Sequence, residues 1–291
     1  MYPQETIWYT FWVAGQSFLT FTPPKNVTLP KEVSYLRSPG NRAMIEGTMH
    51  HIESAPAKLT VSLRMTGLRH DGYHLIDAEM VSLDLADTLV FAEGDSLHIR
   101  TEKTAATALP VTVGPDNLVT RALRHVGRTA AVVLTKRIPA GGGLGGGSSD
   151  AAAVFRWAGR TADDDIRAAA ALGADVSFCI RGGRARVTGI GEQLDVLPFV
   201  ERVFTLCTPP FGVSTPSVYR AWDALGGPTS MGPNDLEPAA LNVEPRLAEW
   251  RERLGNHSGE EPVLAGSGST WFVSGAFPGD GYVVARTRPT H

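Results

Sequence analysis

The feature that most constrains this sequence is the glycine-rich stretch Pro139–Ala153, which reads PAGGGLGGGSSDAAA. The preceding segment, TAAVVLTKRIP, has the apolar pattern of a buried strand, and the following segment, SDAAAVFRWAG, is typical of a helix with a polar first turn. Gly/Ser runs are often flexible linkers. A strand, a glycine loop and a helix N-terminus in succession instead form an anion cradle, because the loop N–H groups and the helix dipole favour negative charge. We therefore predict a phosphate-binding loop.

Two familiar phosphate-loop patterns fit this stretch poorly. A Walker A loop ends in Gly-Lys-Ser/Thr, whereas Gly147 is followed by two serines. The letters of the dinucleotide fingerprint G-x-G-x-x-G are present from Gly141, but such a match arises easily where almost every residue is glycine. That fingerprint also requires an acidic residue at the end of the next strand, about 20 residues further on. The acidic run Asp163–Asp165 begins a predicted helix instead.

The composition limits the classes of function. With 291 residues, 43% hydrophobic and 20% charged, the chain is long enough for two domains or one two-lobed unit. A net charge of −3 gives no sign of a nucleic-acid or lipid-binding surface. Cys179 and Cys207 lie in apolar, strand-like runs, which favours buried free thiols in a reducing cytoplasm. Five of the 27 basic residues are lysines, which directs attention to Lys58 and Lys136.

The first 53 residues differ from the rest of the chain. The segment IWYTFWVAGQSFLTFTPP is aromatic and apolar, but it is too short and too interrupted to span a bilayer. It lacks a basic n-region and a small-residue cleavage site, so a signal peptide is not expected. We predict that residues 1–53 are an N-terminal appendage and that the functional domain begins near Met49. A genuine docking segment is the alternative.

From residue 54 onward, strand and helix patterns are interspersed. AKLTVSLRM predicts a half-buried strand, LIDAEMVSLDLADTLVF two strands with an Asp-rich break, and DNLVTRALRHVG and DDDIRAAAALG helices. VSFCIRGG, RARVTGIG and RVFTLCTPP predict strands, and TPSVYRAWDAL and NDLEPAALNVEPRLAEWRERLG two helical stretches before strands that flank LAGSGSTWFV. Because several of these strands form hairpin-like pairs, we predict an α+β fold rather than a doubly wound parallel sheet.

The loop P-x-G-G-G-L-G-G-G-S-S-D-A-A resembles the phosphate loop of the GHMP kinases, the superfamily of galactokinase, homoserine kinase and mevalonate kinase. Further segments occur in the order typical of one of its families, the 4-diphosphocytidyl-2-C-methyl-D-erythritol kinases of the non-mevalonate isoprenoid pathway. They are APAKLTVSLRMTGLRHDGYHLI, SLDLADTL, DNLVTRAL, LGADVSFCIRGGRARVTGIGE, NDLEP and LAGSGSTWFV. The resemblance extends from Ser54 to the end of the sequence. It implies a two-lobed GHMP kinase fold with lobes at residues 54–200 and 201–291 and with ATP and substrate in the cleft between them.

The resemblance also implies a reaction, the ATP- and Mg²⁺-dependent phosphorylation of the 2-hydroxyl of 4-diphosphocytidyl-2-C-methyl-D-erythritol. The family's catalytic aspartate matches Asp175 in GADVSF, which would accept or orient the hydroxyl proton. The lysine of the family's Ala-Lys pair matches Lys58, which would keep that carboxylate ionised and neutralise charge on the transferred phosphoryl group. Without the resemblance, Asp175 is a turn or cap residue and Lys58 a solvated strand-end lysine.

The same resemblance supplies the binding residues. ATP would be bound by Pro139, Gly141, Gly142, Gly143, Leu144, Gly145, Gly146, Gly147, Ser148 and Ser149, with Asn117 facing the base. Ser148 is also a candidate Mg²⁺ ligand, and the alternative is that it is a plain helix N-cap. The cytidyl substrate would be held by Tyr73, His74, Thr215, Pro216, Tyr219, Gly266, Ser267 and Gly268. A Tyr-His pair can stack on and hydrogen-bond a pyrimidine, whereas Tyr219 equally fits a core aromatic.

One position departs from the family pattern. Many members have Ala-Lys-x-Asn where this chain has Thr60, which puts in doubt any substrate contact made there. The alternative functions are a GHMP-type kinase acting on another small alcohol and a non-catalytic nucleotide-binding homologue. We expect a cytoplasmic enzyme whose partner is a small molecule, not a nucleic acid or a membrane.

Overall fold

The structure is a computed structural model that describes residues 10–11, 19–20, 42–45, 48–102 and 111–290. The chain divides into two compact units, Met1–His50 and His51–His291. In the first unit, β1 (Thr10–Phe11) pairs antiparallel with β2 (Leu19–Thr20), and β3 spans Arg42–Ile45. Most of the predicted appendage 1–53 lies outside the described residues, so its boundary and those of the two predicted lobes stay predictions.

The second unit contains strands and helices in mixed order. Its strands are β4 (Thr48–Leu68), β5 (His74–Ala92), β6 (Ser96–Thr101), β7 (Ala131–Lys136), β8 (Arg184–Gly189), β9 (Gln193–Val196), β10 (Val203–Cys207), β11 (Val263–Leu264), β12 (Trp271–Ser274) and β13 (Tyr282–Arg288). Its helices are α1 (Leu118–His125), α2 (Gly146–Trp157), α3 (Asp163–Ala169), α4 (Ala174–Arg181), α5 (Thr215–Ala224), α6 (Glu237–Val243) and α7 (Leu247–Ser258). This mixture confirms the predicted α+β class.

The sheet of the second unit is organised around β5. Its strands follow the order β11-β12-β10-β13-β5-β4, and β5 also pairs with β7 and β8. The β6–β7 pairing is parallel, and the pairings of β5 with its neighbours are antiparallel. β4 pairs along nearly the whole length of β5, whereas β8, β13 and β7 pair with successive parts of it, Ile76–Val81, Ser82–Leu83 and Thr88–Ala92.

The helices bury the apolar face of this sheet. α2 carries a run of buried small and apolar residues, Ala151–Phe155, and packs against α1 and α4. A second apolar cluster joins Ala57 and Leu59 of β4 to Leu144 of the glycine loop and Leu206 of β10. Leu144 is fully buried, so burial of its side chain stabilises the loop by roughly 1.5–3 kcal/mol.

Three predicted secondary structures are wrong. The run VSFCIR, with its alternating Val176, Phe178 and Ile180, was expected to be a strand, but it forms α4. All of Val176–Ile180 is buried, and a helix buried on every side shows no amphipathic period. The Asp-rich break predicted within LIDAEMVSLDLADTLVF is also absent, because β5 is continuous.

The acidic residues of β5 are accommodated by hydrogen bonds within the sheet. The Asp84 carboxylate accepts from the backbone N–H of Arg286, and the buried Asp87 carboxylate accepts from the backbone N–H groups of Arg137 and Ile138. Because these carboxylates are hydrogen-bonded, they can lie within the sheet and the strand continues through them. The long helical stretch predicted near the C-terminal third is two helices, since Pro245 lies between α6 and α7.

No helix among the described residues is long and apolar enough to cross a membrane.

Candidate active site

The glycine loop between β7 and α2 is shaped by close contacts that only glycine permits. Gly143 has φ +78°, and a Cβ atom at this position would lie 2.5 Å from the carbonyl oxygen of Gly268. Gly145 has φ +66°, and a Cβ there would lie 2.6 Å from Cγ of Lys58. The loop is therefore pressed between the Gly266–Gly268 segment on one side and the stem of Lys58 on the other.

The loop leads directly into the N-terminus of α2 and encloses a cavity of about 320 Å³. Gly145 occupies the N-cap position of α2 and provides no side-chain cap. The first N–H groups of the helix are therefore available to an anion in the cavity. The cavity is lined by the loop from Pro139 to Gly147 and by Val111, Thr112, Asp116, Asn117, Leu118, Lys136 and Asp150.

The two serines at the start of α2 have different environments. Ser148 is half-buried, and its Oγ lies 3.9 Å from the point where a Cβ of Gly173 would be. It is inside the helix rather than at its N-cap, so the alternative of a plain cap is not what the structure shows. Ser149 is fully buried, and its hydroxyl donates to the backbone carbonyl of Pro56 in β4. Its side chain therefore fixes α2 to the sheet.

The predicted catalytic residues face each other across the same region. Nζ of Lys58, on β4, lies 3.4 Å from Oδ2 of Asp175, in the first turn of α4. The Lys58 side chain is 7% exposed and that of Asp175 is 31% exposed, so the carboxylate is the partner that reaches solvent. Asp175 also lies at the positive, N-terminal end of the α4 dipole. The backbone N–H of Lys58 donates to the carbonyl of Leu144, which ties this pair to the loop.

Thr60 occupies the position where the family pattern differs from this chain. Nζ of Lys58 donates to Oγ1 of Thr60 at 3.1 Å, and Thr60 is 2% exposed. The ammonium is thereby held between a hydroxyl and the Asp175 carboxylate. The negative charge of Asp175 also affects Tyr219. Burial is the main cause that raises the pKa of Tyr219 to about 12, and the charge of Asp175 adds to it.

A group of side chains surrounds His74, at the start of β5. The ring of Tyr219 lies 5.0 Å from the His74 ring, and that of Trp222 lies 5.6 Å away in an edge-on arrangement. Nε2 of His74 is 2.7 Å from Oδ1 of Asp223. Tyr73, by contrast, is 57% exposed, with the Arg69 guanidinium 5.2 Å from its ring centroid.

The segment Gly266–Gly268 closes the site from behind. The Asn234 side chain donates to the carbonyls of Leu264 and Gly266, at 2.8 Å and 2.7 Å. The hydroxyls of Ser267 and Thr215 are 2.8 Å apart, so α5 is joined to the same segment. Pro216 follows Thr215 in the first turn of α5, and both are exposed.

A buried ionic cluster under the loop was missed by sequence reasoning. Nζ of Lys136 donates to Asp87 of β5 and, at 2.7 Å, to Asp150 of α2. The three side chains are almost fully buried. Burial raises the pKa of Asp150 to about 7, although the Lys136 charge opposes the shift. The scarcity of lysine in the sequence was the available signal, but it did not identify the two carboxylates.

Comparison with known proteins places the chain in a family. The GHMP kinases N terminal domain matches residues 117–183. The 4-diphosphocytidyl-2-C-methyl-D-erythritol kinase of Paracoccus denitrificans is 37% identical over 244 residues, which are 77% of this chain and 86% of the relative. The chain belongs to the 4-diphosphocytidyl-2-C-methyl-D-erythritol kinase family. The kinase of the same name from Moorella thermoacetica is 35% identical over 75% of this chain and 87% of its own length.

Solved structures agree with this family assignment. A crystal structure of 4-(cytidine 5'-diphospho)-2C-methyl-D-erythritol kinase superposes with a TM-score of 0.62 at 30% identity, and covers 81% of this chain and 98% of its own. A putative homoserine kinase from Listeria monocytogenes superposes with a TM-score of 0.52 at 16% identity, over 83% and 98% of the two chains, and supports the fold alone. The predicted GHMP kinase fold and the resemblance to this kinase family are confirmed.

Proposed function

We propose that this chain transfers the γ-phosphoryl group of ATP to the 2-hydroxyl of 4-diphosphocytidyl-2-C-methyl-D-erythritol, a step of the non-mevalonate isoprenoid pathway. The family supports the reaction, since its curated members bear this kinase name. The observation that carries the mechanism is the Lys58–Asp175 pair, whose atoms are 3.4 Å apart beside the glycine loop. Phosphoryl transfer depends mainly on positioning and on charge stabilisation, and this arrangement offers both.

Asp175 orients the substrate hydroxyl and accepts its proton. Its carboxylate is partly exposed, so a hydroxyl can approach it from the cleft. Lys58 and the N-terminal end of α4 place positive charge beside this carboxylate. General base assistance of this kind contributes roughly 10²–10⁴-fold to a rate.

Lys58 stabilises negative charge on two groups, the transferred phosphoryl group and the Asp175 carboxylate. Its stem packs on Gly145 of the loop, and its backbone N–H is bonded to Leu144. Its ammonium is therefore fixed relative to the place where the loop would hold phosphate. Such pre-positioned charge requires no reorganisation during the reaction.

The cavity under the loop accommodates the nucleotide in this proposal. The phosphates lie against the N–H groups of the loop and the first turn of α2. Asn117 is the N-cap of α1, where its Oδ1 accepts from the Val119 N–H and its Nδ2 donates to the Thr112 carbonyl. These bonds occupy the Asn117 side chain, so its role in the cavity is to shape the wall near the ATP base.

The residues of the loop fit a Mg²⁺ ion that is bound mainly through phosphate oxygens. Among the described residues, no cluster of three or more His, Cys, Asp or Glu side chains is placed to hold a metal by itself. Mg²⁺ in kinases typically uses one or two protein ligands together with substrate phosphates. The Ser148 hydroxyl is the ligand we propose, since Ser149 is committed to Pro56. The ion would neutralise phosphate charge.

The cytidyl group is placed at the wall formed by Tyr73, His74 and α5. His74 and Tyr219 present an imidazole and a phenol ring 5.0 Å apart, and the exposed Tyr73 ring offers a further stacking surface. Thr215 and Ser267 form the hydrogen-bonded rim beside this wall. We also propose a cytoplasmic location, which is supported by two buried free thiols, Cys179 and Cys207.

An ADP-release assay tests the proposed reaction. The cytidyl compound, homoserine, mevalonate and galactose are offered in parallel to wild type and to Asp175→Asn. Turnover is expected with the cytidyl compound alone and is expected to fall at least about 100-fold in the variant. Asp164→Asn, which changes an exposed carboxylate of α3, is the matched control and should keep full activity. Activity with another alcohol only would contradict the substrate, and ATP binding without turnover would contradict catalysis.

A further inference from the structure

Three side chains of one helix face surround a single imidazole. Tyr219, Trp222 and Asp223 have the i, i+3, i+4 spacing that places side chains on the same side of a helix. From α5 they supply a tilted ring at 5.0 Å, an edge-on indole at 5.6 Å and a carboxylate at 2.7 Å to His74. The His74 side chain is left only 12% exposed. This arrangement fixes the ring in one plane.

The carboxylate decides which ring nitrogen carries the proton. An ionised carboxylate only accepts hydrogen bonds. Since Oδ1 of Asp223 lies 2.7 Å from Nε2 of His74, that nitrogen must be the protonated one. In a neutral imidazole the other nitrogen, Nδ1, is then an acceptor. The His74–Asp223 pair therefore holds Nδ1 of His74 as a hydrogen-bond acceptor at a fixed position.

The position of α5 makes this device rigid. The Trp222 indole Nε1 donates to the carbonyl of Pro228 at 2.9 Å, which holds the edge-on ring in place. Thr215, at the start of the same helix, is bonded to Ser267. The imidazole is thus held by a helix that is itself attached at both ends.

We propose that Asp223 is a positioning residue that holds His74 as the Nε2–H tautomer, so that Nδ1 accepts from the exocyclic amine of cytosine and disfavours uracil. The substrate part rests on the proposed function. Cytosine offers an amino group at the pyrimidine edge where uracil has a carbonyl oxygen. With Nδ1 fixed as an acceptor, the uracil oxygen would face a second lone pair, and an unmade buried hydrogen bond lowers affinity by roughly tenfold or more.

The kinetic test compares the cytidyl substrate with its uridyl analogue. In Asp223→Ala the KM for the cytidyl compound should rise by about tenfold, while kcat and the KM for ATP change little. The preference for the cytidyl over the uridyl compound should fall in parallel. Asp223→Glu, which restores a carboxylate at a half-exposed position, should recover much of the preference. Glu249→Ala, which removes an exposed carboxylate of α7, is the matched control.

A second measurement reads the tautomer without activity. Long-range ¹H–¹⁵N correlation of the His74 ring, at a mildly alkaline pH where histidine is neutral, should show the Nε2–H form in wild type. In Asp223→Ala the ring should show a mixture of the two forms. An unchanged tautomer and an unchanged cytidyl-to-uridyl ratio in that variant would overturn the proposal, as would an equal loss of kcat and of ATP affinity.

The two measurements separate this proposal from the proposed function. If wild type does not turn over the cytidyl compound, the proposed function fails and the cytosine part of the inference fails with it. The ring spectra then still decide whether Asp223 sets the tautomer. If wild type is active but Asp223→Ala keeps its preference, the proposed function stands and the positioning role is overturned.

Discussion

Lys58 depends on a neighbour that differs from the residue many family members have. Its ammonium lies 3.1 Å from Oγ1 of Thr60 and 3.4 Å from Oδ2 of Asp175. A threonine hydroxyl supplies the acceptor that holds the ammonium. It does not supply the amide donor that an asparagine would offer to a substrate as well. Thr60 therefore supports Lys58, the lysine proposed to act in catalysis, through a side chain shorter than asparagine.

Replacing Thr60 by Val is expected to lower kcat by about tenfold, because a buried hydrogen bond to a charged group is worth roughly 1.5–3 kcal/mol. The shape of the side chain is preserved, so the fold should remain. Steady-state kinetics with ATP and the cytidyl substrate measure the effect.

Thr205→Val is the matched control for this change. Thr205 is also buried, but its hydroxyl bonds to the Gly275 carbonyl and the Phe277 N–H. It should lower stability and leave kcat unchanged. Equal kinetics in both variants would show that Thr60 does not support Lys58.

Sequence reasoning identified the residues whose chemistry is carried by short local motifs. Lys58, Asp175 and the glycine loop belong to such motifs, and the structure brings Lys58 and Asp175 to 3.4 Å. Asp223 was missed because it acts on His74 from 149 residues away, and a lone helical Asp carries no local signal. Asp87 was missed for a related reason. In the sequence it indicates a break in the strand, and only the fold shows that Lys136 lies beside it.

The glycine loop and the segment Gly266–Gly268 are in close contact. Gly143 approaches the carbonyls of Gly268 and Ala265 so closely that a Cβ would lie 2.5 Å and 2.8 Å from them. The Ala265 carbonyl is held in place, because Asn234 bonds the flanking carbonyls of Leu264 and Gly266 and the Gly268 N–H donates to the Ala265 carbonyl itself. The shape of the loop is therefore imposed from outside it.

Gly143→Ala is expected to raise the KM for ATP by at least about tenfold. The added methyl group would clash with the backbone, and an alanine at this positive φ costs roughly 1–3 kcal/mol in backbone strain as well. Gly159→Ala separates the two causes. Gly159 also has a positive φ, of +70°, but no atom lies within 4 Å of its added Cβ. It should lose stability with no change in the KM for ATP, measured by titration of the nucleotide. A similar KM effect in both variants would contradict the clash.

The buried cluster of Lys136, Asp87 and Asp150 connects three elements, β7, β5 and α2. Lys136→Met should therefore lower the free energy of unfolding by about 3–5 kcal/mol, since two buried carboxylates lose their cation. Chemical denaturation measures the loss. Arg137→Met is the control, because its partner Glu102 is about one-third exposed and a surface pair contributes at most about 1 kcal/mol. Equal losses would show that the cluster does not stabilise the fold.

Secondary structure was predictable where one face of an element meets solvent. α1, with its Asn117 cap, matches its sequence pattern for this reason, and β7 matches because a short apolar run is typical of a buried strand. α4 was not predictable, because Val176–Ile180 is buried on every side and its period is hidden. The continuity of β5 was hidden as well, because its acidic residues are paired by Arg286 and by the β7–loop junction.

Two buried cysteines of the second unit make the stability of the protein depend on pH in the alkaline range. Burial raises the pKa of Cys179 to about 12 and that of Cys207 to about 11, from an ordinary value of 9.0. The folded state therefore favours the protonated thiols. Their contribution to stability is complete below pH 9.0 and is lost as the pH rises toward about 11 to 12.

The variant Cys179→Ala/Cys207→Ala is expected to lose less stability than wild type between pH 9.0 and about 11. Urea denaturation across this range gives the difference, and comparison of the two proteins cancels the titration of other groups. A thiol reagent at neutral pH should modify neither cysteine until the protein unfolds. Parallel pH curves, or rapid labelling of the folded protein, would contradict the burial of these thiols.

The partners of β5 are synthesised at very different times. It meets β4 after a short hairpin, but its contact with β13 joins Asp84 to Arg286 across 202 residues. The ribosome therefore releases β5 long before it has made the strand that covers this part of its edge. Until then Ser82 and Leu83 lack their β13 partners, although the Ser82 N–H can already donate to the Gly183 carbonyl. The pairing of Ser82 and Leu83 with Arg288 and Thr287 can therefore form only after β13 has been synthesised, whatever the order in which the rest of the sheet assembles.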